Sequence, residues 1–554
     1  MVFHHILGGF FTYLLCRSFK TSVPGAIIGG LIFSFFPGLF RSVIFQGIIV
    51  DIQTIPWLPL ILYSVKKAMD TPMYTEALRY ALLTGMIIAI QILAGSPQIA
   101  FISQGGVLGF ALLYSLFAIR LRQKGTRPLI TSWNFTVLWR ITTILVLAFA
   151  VGYSLTALQL LPTWELTFLS HRSGGVSIET AQTGSINLTT FFAFFVMPSS
   201  AHSMNTHSGS WVLPSSVHPG IWGIPFGIGN LIFVLFILTG VFTLWRKPPP
   251  LSKDFLILWV LLALSLSLSI GRYNPIFPLL YHLPGFHLFR YPWTWAIISI
   301  LCVSVLTGAG VDRVFFRAKE KDRVYRLART IFFIAFLASL ATALGVFLLG
   351  EDRTIAKGLL AWGGWAAILI GLLHWKRRTK KTFLSQQWLL LALLALDIVL
   401  FARPYVLSTP LPSLLASARM TIDYLLPRSE MPYRVIALKQ VRPSYNEGMA
   451  LGLQTADGSY PLIVRKYVEL VSRAPGALFT TIGDMLQIRV VLKRDEPISR
   501  DMAPEAHPNI HGIRLENYTS SLADLLNIRY ILSSEDLKEK KLLLRHKNAV
   551  RLYE

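Results

Sequence analysis

The stretch that runs from residue 293 to residue 310 reads WTWAIISILCVSVLTGAG, 18 residues without a charged side chain. An apolar run of this length, folded as an α-helix that rises ~1.5 Å per residue, reaches across most of the ~30 Å hydrocarbon core of a bilayer. A helix also satisfies its backbone hydrogen bonds internally, as lipid requires. The stretch therefore predicts a membrane-spanning helix.

Similar apolar blocks recur on both sides of this stretch. They cover residues 6–16, 24–40, 55–65, 78–93, 99–119, 141–161, 221–244, 255–270, 293–310, 331–349, 355–373 and 388–401. Some are short for a bilayer, but together they predict an α-helical polytopic membrane protein with about twelve spans. We expect residues 1–401 to form one multi-span transmembrane domain.

The composition of the whole chain agrees with lipid as its main solvent. Only 14% of the 554 residues are charged, whereas soluble domains contain about 25% charged residues. The two cysteines, Cys16 and Cys302, both lie inside apolar blocks. A disulfide framework or a thiolate metal site therefore has no support, and we expect no cofactor.

The formal net charge of +24 does not predict nucleic-acid binding, because Lys and Arg occur in short segments between the apolar blocks. These segments alternate along the chain, and the positive-inside rule assigns them to the cytoplasm. Every intervening loop is then expected outside, together with everything after residue 401. The basic segments contain Arg17 and Lys20, Lys66 and Lys67, and residues 120–127, 246–253, 313–329 and 376–381.

Residues 402–554 differ in character from the rest of the chain. They contain Pro404, Pro410 and Pro412, mixed charges and short β-prone runs such as residues 433–438. This pattern predicts a small α/β domain. The topology places it on the extracytoplasmic side.

Short motifs occur along nearly the whole chain, and their order and placement resemble those of one protein family. They are AGSPQ (94–98), LLPTWE (160–165) followed by SHR (170–172), LPGF (283–286), FRYP (289–292), GSYPL (458–462) and LLNIRY (525–530). The sequence is identified by them as similar to the bacterial YfhO-type membrane proteins, which resemble glycosyltransferases of the GT-C membrane fold. One departure is Ser96, where the family usually has His.

The resemblance implies an activity at the outer face of the bacterial cytoplasmic membrane. A sugar would pass from a polyprenyl-phosphate carrier to a cell-envelope polymer, with the C-terminal domain helping to position the acceptor. A divalent cation would be compatible with this reaction, but no ligand set for one is visible. The fold's first helix, and the outer loop that holds its catalytic carboxylate, would precede Met1. We therefore expect a chain shortened at both ends, with impaired or lost activity.

Such a reaction needs a general base and a site for the departing phosphate at the outer membrane ends. Arg290 directly precedes the outer end of the span at residues 293–310, where its fork of donors suits a lipid-borne phosphate. The alternative is that Arg290 anchors the helix at the head-group layer. Glu165, His171 and Arg172 follow the block at residues 141–161 and are candidates for the same cavity. They fit equally well as a Glu-Arg pair that orders a loop, worth about 0 to 1 kcal/mol if exposed.

Asp51 is the other candidate acid or base, because few other charges lie near it in its apolar outer segment. It fits equally well as a helix cap at the interface. Ser96 and Gln98 flank Pro97 at an expected outer turn and are candidates to bind a sugar hydroxyl. Their alternative role is to satisfy the exposed backbone groups of helix ends.

Two other functions remain open from the residues alone. Many spans with an occasional intramembrane charge also fit a transporter or lipid flippase, which inverted repeats with interrupted helices would favour. No convincing repeat relates the two halves of this chain. A noncatalytic scaffold for envelope enzymes is the third possibility, and the absence of an outer carboxylate in a cavity would support it.

Overall fold

The computed structural model describes the chain in segments. The described residues are 2–36, 49–122, 132–170, 172–186, 204–205, 210–211, 230–236, 253–317, 323–348, 353–378, 383–402, 434–437, 454, 458–459, 464–472, 477–481, 510–515, 525–526, 528–533, 537, 544–547 and 551–553.

The chain divides into two compact units, each assembled from segments that are distant in sequence. The first unit comprises Met1–Leu160, Gln182–Gly285 and Arg290–Val406. The second comprises Leu161–Ala181, Phe286–Phe289 and Leu407–Glu554. The sequence predicts a single division, between residues 401 and 402, and does not anticipate the two short excursions.

The chain is mostly helical up to residue 402. In chain order the described α-helices are α1 (Val2–Ser18), α2 (Val23–Ser34), α3 (Ile49–Thr54), α4 (Trp57–Asp70), α5 (Tyr74–Leu93), α6 (Pro97–Arg122), α7 (Ser132–Leu155), α8 (Ala157–Leu169), α9 (Ile178–Ala181), α10 (Asn230–Leu235), α11 (Lys253–Ser269), α12 (Phe277–Tyr281), α13 (Ala296–Val311), α14 (Arg323–Leu348), α15 (Arg353–Arg378) and α16 (Phe383–Ala402).

Five of the described helical stretches are long and apolar enough to cross a membrane. They are Tyr74–Leu93, Pro97–Phe117, Val137–Leu155, Pro292–Arg317 and Arg323–Leu348. Shorter apolar stretches occur in α2, α11, α15 and α16. Exposed apolar side chains on the long helices, such as Met86, Val146 and Leu344, are compatible with contact with lipid.

Helix α13 forms the centre of the first unit, since every one of its residues is buried. It contacts α2 closely through glycines. A Cβ atom at Gly308 would lie 2.6 Å from the Gly25 carbonyl oxygen, and one at Gly29 would lie 3.1 Å from the Ser304 carbonyl oxygen. Small residues four apart allow such close approach, as in other membrane helix pairs.

The predicted block at residues 141–161 is not one helix. Helix α7 ends at Leu155 and α8 begins at Ala157. The hydroxyl of the buried Thr156 donates to the carbonyl oxygens of Gly152 and Tyr153, at 2.9 and 3.2 Å. Hydrogen bonding of a Thr side chain to the preceding turn bends helices, and hydropathy alone does not report it.

Strands occur mainly in the second unit. The strands are β1 (Met204–Asn205) and β2 (Ser210–Trp211) of the first unit, and β3 (Arg434–Ala437), β4 (Gly458–Ser459), β5 (Ala477–Thr481), β6 (Ile510–Leu515), β7 (Ile528–Ser533), β8 (Leu544–Lys547) and β9 (Arg551–Tyr553) of the second. Those of the second unit form a four-stranded sheet in the order β3-β7-β9-β8 and a three-stranded sheet in the order β4-β6-β5. The second unit also contains helix α17 (Arg465–Ser472). Among the described strands only β3 and β7 pair in parallel, and Val435 and Tyr530 are buried partners between them. The β-prone run at residues 433–438 is confirmed as β3.

Candidate functional site

The turn between α5 and α6 is the centre of the candidate site. Gly95 has a φ of 101°, a region that residues with a Cβ atom rarely adopt. A Cβ atom there would also lie 3.3 Å from the side chain of Val50. Pro97 starts α6, where its missing N–H costs nothing. The sequence Gly-Ser-Pro therefore fixes a tight reversal that points Ser96 inward and leaves it only 7% exposed.

Ser96 binds the carboxylate of Asp51. The Ser96 hydroxyl donates to Oδ1 of Asp51 at 2.6 Å, and the Ser96 N–H donates to Oγ1 of Thr54 at 3.3 Å. Asp51 lies in the first turn of the short helix α3 and is half-buried. Burial raises the pKa of Asp51, and the Ser96 hydrogen bond offsets this only in part. Asp51 therefore holds a proton more readily than an ordinary aspartate.

A buried polar residue close to this pair, Gln91, was not predicted from the sequence. Nε2 of Gln91 donates to the Thr54 carbonyl oxygen at 3.3 Å and to Ser103 Oγ at 3.0 Å. All three residues are fully buried. Among the described residues, Oε1 of Gln91 has no hydrogen-bond partner. The sequence does contain a signal for this group: an amide side chain inside the apolar block at residues 78–93. A buried amide is costly unless it is hydrogen-bonded, so such a residue predicts a buried polar contact.

Gln98, on the other side of the same turn, holds the segment that carries Arg290. Its side-chain amide donates to the Arg290 carbonyl oxygen and to Thr294 Oγ1, the latter at 2.9 Å. Thr294 in turn donates to the Tyr291 carbonyl oxygen at 2.6 Å. Tyr291 has a φ of 65°, a strained conformation for a residue with a bulky side chain. The backbone between Arg290 and Thr294 is thus tied to the α5–α6 turn.

The Arg290 side chain lies over a neighbouring ring. Its guanidinium carbon is 4.9 Å from the ring centroid of Tyr291, which itself lies 6.2 Å from the ring of Trp293. Gly184 permits this arrangement, because a Cβ atom there would lie 2.9 Å from Trp293 and 3.1 Å from Tyr291. Arg290 is half-buried, so its charge lies among aromatic side chains at the start of a membrane-crossing stretch.

The remaining candidates belong to the second unit. Glu165 is an exposed residue of α8, and Arg172 is half-buried beyond its end. The Arg172 N–H donates to Ser170 Oγ at 3.1 Å, while Ser170 itself bridges to Val464 next to α17. His171 lies outside the described residues. The prediction that these three residues share a cavity with Arg290 stays a prediction.

A second polar cluster occurs at the far end of α4. Lys66 is 1% exposed, and its Nζ lies 2.5 Å from Asp70 Oδ2 and 3.0 Å from Asp254 Oδ2. Tyr114 donates to the other oxygen of Asp70 at 2.8 Å, and the Phe19 ring covers the ammonium group at 5.0 Å. The sequence predicts a loop at Lys66, which is wrong: Lys66 is a buried ion-pair partner within a helix. The predicted cytoplasmic side of this helix end stays a prediction.

The described parts of the chain contain no group of three or more His, Cys, Asp or Glu residues that is suited to a metal ion. The site's chemistry is that of one carboxylate with a raised pKa, one arginine and several neutral hydrogen-bonding side chains. Comparison with models of protein families gives no match, and a search of curated proteins also gives none.

Proposed function

We propose that this chain is a membrane glycosyltransferase of the GT-C type, related to the bacterial YfhO-type proteins. It transfers a sugar from a polyprenyl-phosphate carrier to a cell-envelope polymer at the outer face of the bacterial cytoplasmic membrane. The proposal includes about twelve spans and an extracytoplasmic C-terminal domain.

One observation carries the proposal. A single turn, Ala94 to Gln98, binds both the carboxylate of Asp51 and the backbone of Arg290, through Ser96 and Gln98. The two side-chain types that the reaction needs, a base and a phosphate ligand, are therefore attached to the same rigid element. The turn lies at the end of α5 opposite the basic residues Lys66 and Lys67, which supports an outer location.

The reaction assigns a role to each residue. In this proposal Asp51 takes the place of the carboxylate that the resemblance implies for a different loop, so the chain is active. Asp51 takes the proton from the acceptor hydroxyl as the acceptor oxygen forms a bond to the anomeric carbon. The bond between that carbon and the phosphate oxygen breaks, and the carrier leaves as polyprenyl phosphate. Burial makes Asp51 a stronger base than an ordinary aspartate. Arg290 binds the departing phosphate by charge-assisted hydrogen bonds, and Ser96 orients the carboxylate.

Envelope polymers from cells that express wild type or Arg290→Ala provide the test, with sugar content measured by mass spectrometry. Arg272→Ala is the matched control, because Arg272 is an exposed arginine on the same expected side. We expect a new sugar with wild type and with Arg272→Ala, and its loss with Arg290→Ala. Equal sugar content in all three strains, at equal membrane expression, would contradict the proposal.

Glu165 is the second candidate base, and a Glu165→Gln strain decides between the two carboxylates. If Asp51 is the base, Glu165→Gln keeps the sugar and Asp51→Asn loses it. The opposite pattern would move the base to the second unit.

A transporter is the alternative function, and the Lys66 cluster is the observation that favours it. Buried ionisable groups between membrane helices often mark a path for ions or protons. A transporter would carry solute into proteoliposomes in a manner that Lys66→Met abolishes, while envelope sugars stay unchanged.

A further inference from the structure

A basic patch forms where α1, the α1–α2 turn and the end of α13 meet. It consists of Arg17, Lys20 and Arg317, which come from segments about 300 residues apart in sequence. Arg17 and Lys20 are exposed, and the Arg317 side chain is 56% exposed. The stretch Pro292–Arg317, which is long and apolar enough to cross a membrane, ends at this point, and the end of such a helix is where lipid head groups are expected.

A buried carboxylate holds the patch together. Asp312, whose side chain is 5% exposed, lies 2.9 Å from Nε of Arg317 and accepts the Ser22 N–H at 3.0 Å through the same oxygen. Nη2 of Arg317 donates to the Lys20 carbonyl oxygen at 2.7 Å. Asp312 thereby caps the start of α2 and aims Arg317 at the turn that carries Lys20.

Two uncommon backbone conformations coincide here. Lys20 has a φ of 62° although it carries a side chain, and the segment Asp312–Arg317 is a π-helical turn. Isolated π-turns and left-handed residues other than glycine occur disproportionately at functional sites. In this case Arg317, the last residue of the π-helical turn, donates to the carbonyl oxygen of the left-handed Lys20.

The patch keeps an excess of positive charge and free donors. Among the described residues, the three basic side chains of the patch and Asp312 sum to 3 − 1 = +2. Arg17 uses one of its N–H groups on the Thr21 carbonyl oxygen, at 2.5 Å. Arg317 uses two of its N–H groups on Asp312 and Lys20, and an arginine has five. Within the part of the chain that the structure describes, Nη1 of Arg317 has no hydrogen-bond partner.

We propose that Arg17, Lys20 and Arg317 bind the phosphate head group of an anionic phospholipid in the leaflet at this end of the helices. Arginine forks match phosphate oxygens with two parallel hydrogen bonds. Basic pockets between membrane helices on the cytoplasmic side bind anionic head groups. We assign a lipid as the occupant because the patch adjoins the end of a helix long enough to cross a membrane. The ion pair with Asp312 holds the Arg317 guanidinium in place before the lipid binds.

Binding of phosphatidylglycerol to the full-length protein in detergent, measured by native mass spectrometry, tests this proposal. Each basic residue near an anionic surface strengthens binding about fivefold. We therefore expect Arg17→Gln/Lys20→Gln to bind phosphatidylglycerol about 25-fold more weakly than wild type. Arg79→Gln is the control, because Arg79 is an exposed residue of α5 on the same expected side. It should bind as wild type does, and phosphatidylcholine should bind to none of them.

Lys20→Gly separates binding from folding. Glycine adopts the left-handed conformation without strain, so this variant should melt at or above the wild-type temperature while losing about fivefold in affinity for phosphatidylglycerol. Unchanged affinity in the double variant, an equal loss in Arg79→Gln, or displacement of the lipid by excess inorganic phosphate would each overturn the proposal.

Discussion

The raised pKa of Asp51 makes the stability of the folded chain depend on pH. Burial raises its pKa in the folded chain, whereas an unfolded aspartate titrates near ~3.9. The folded state therefore binds more protons, and stability is greatest below the unfolded pKa. Stability then falls as the pH rises from the unfolded pKa through the raised pKa of the folded chain.

Asp51→Asn should remove this fall. The amide oxygen still accepts the Ser96 hydroxyl, and no charge is left to desolvate. We expect the variant to melt at or above the wild-type temperature at pH 7, and to vary less between pH 4 and 8. A melting curve in detergent at each pH measures this. A variant that melts lower than wild type at neutral pH would show that the ionised carboxylate stabilises the fold.

Individual contacts around Asp51 were beyond prediction from sequence. Ser96 and Asp51 are 45 residues apart, and Gln98 and Arg290 are 192 apart. Hydropathy and charge patterns predict that all four residues lie at the same, outer membrane end. They contain no information on which side chains of that end touch, because that depends on how the helices pack.

At the scale of elements, α4 depends on the Lys66 cluster. Lys66→Met would leave Asp70 and Asp254 without their shared cation, and removing one partner of a buried ion pair costs about 3 to 5 kcal/mol. We expect a large drop in melting temperature. Lys67→Met is the matched control, since among the described residues the Lys67 ammonium group forms no ion pair and lies 5.8 Å from the centroid of the Tyr63 ring. Equal melting of the two variants would contradict the role given to Lys66.

The contact between α2 and α13 gives a second prediction for an element. Gly308→Val would bring a Cβ atom to within 2.6 Å of the Gly25 carbonyl oxygen. We expect a loss of about 1 to 3 kcal/mol or more, because overpacking forces the helices apart. Thermal melting in detergent measures the loss, and Gly345→Val serves as control, since nothing lies within 4 Å of a Cβ atom at Gly345. Equal stability of both variants would contradict the close packing.

The existence of the long helices was predictable, whereas their ends and partners were not. The uncharged run at residues 293–310 matches α13 and the short 3-10 turn before it, Pro292–Trp295. The break at Thr156 coincides with side-chain hydrogen bonds of Thr156 to the preceding turn, and hydropathy does not report such a break. Asp397 lies inside the apolar block at residues 388–401 and accepts the Leu231 N–H at 3.2 Å, at the start of α10, a partner that the sequence does not reveal.

At the scale of the whole molecule, the proposed topology predicts which surfaces face outward. Met73, between α4 and α5, is 57% exposed, and Leu279 in α12 is 72% exposed. Cys16 and Cys302 are fully buried, so the natural cysteines should not react. With a membrane-impermeant maleimide we expect Leu279→Cys to react in intact cells and Met73→Cys only after lysis. Labelling of both in intact cells would contradict the topology.

The central claim is that Asp51 acts as the base of an outer-face glycosyl transfer, and single-turnover kinetics test it most directly. Purified wild type, Asp51→Asn and Glu76→Gln would be reconstituted with a polyprenyl-phosphate hexose and fragments of envelope polymer. The release of polyprenyl phosphate would be followed by mass spectrometry. Glu76 is an exposed carboxylate at the opposite end of α5. We predict a rate about 10²- to 10⁴-fold lower for Asp51→Asn and an unchanged rate for Glu76→Gln. Release at the wild-type rate by Asp51→Asn, or no release by wild type, would contradict the account.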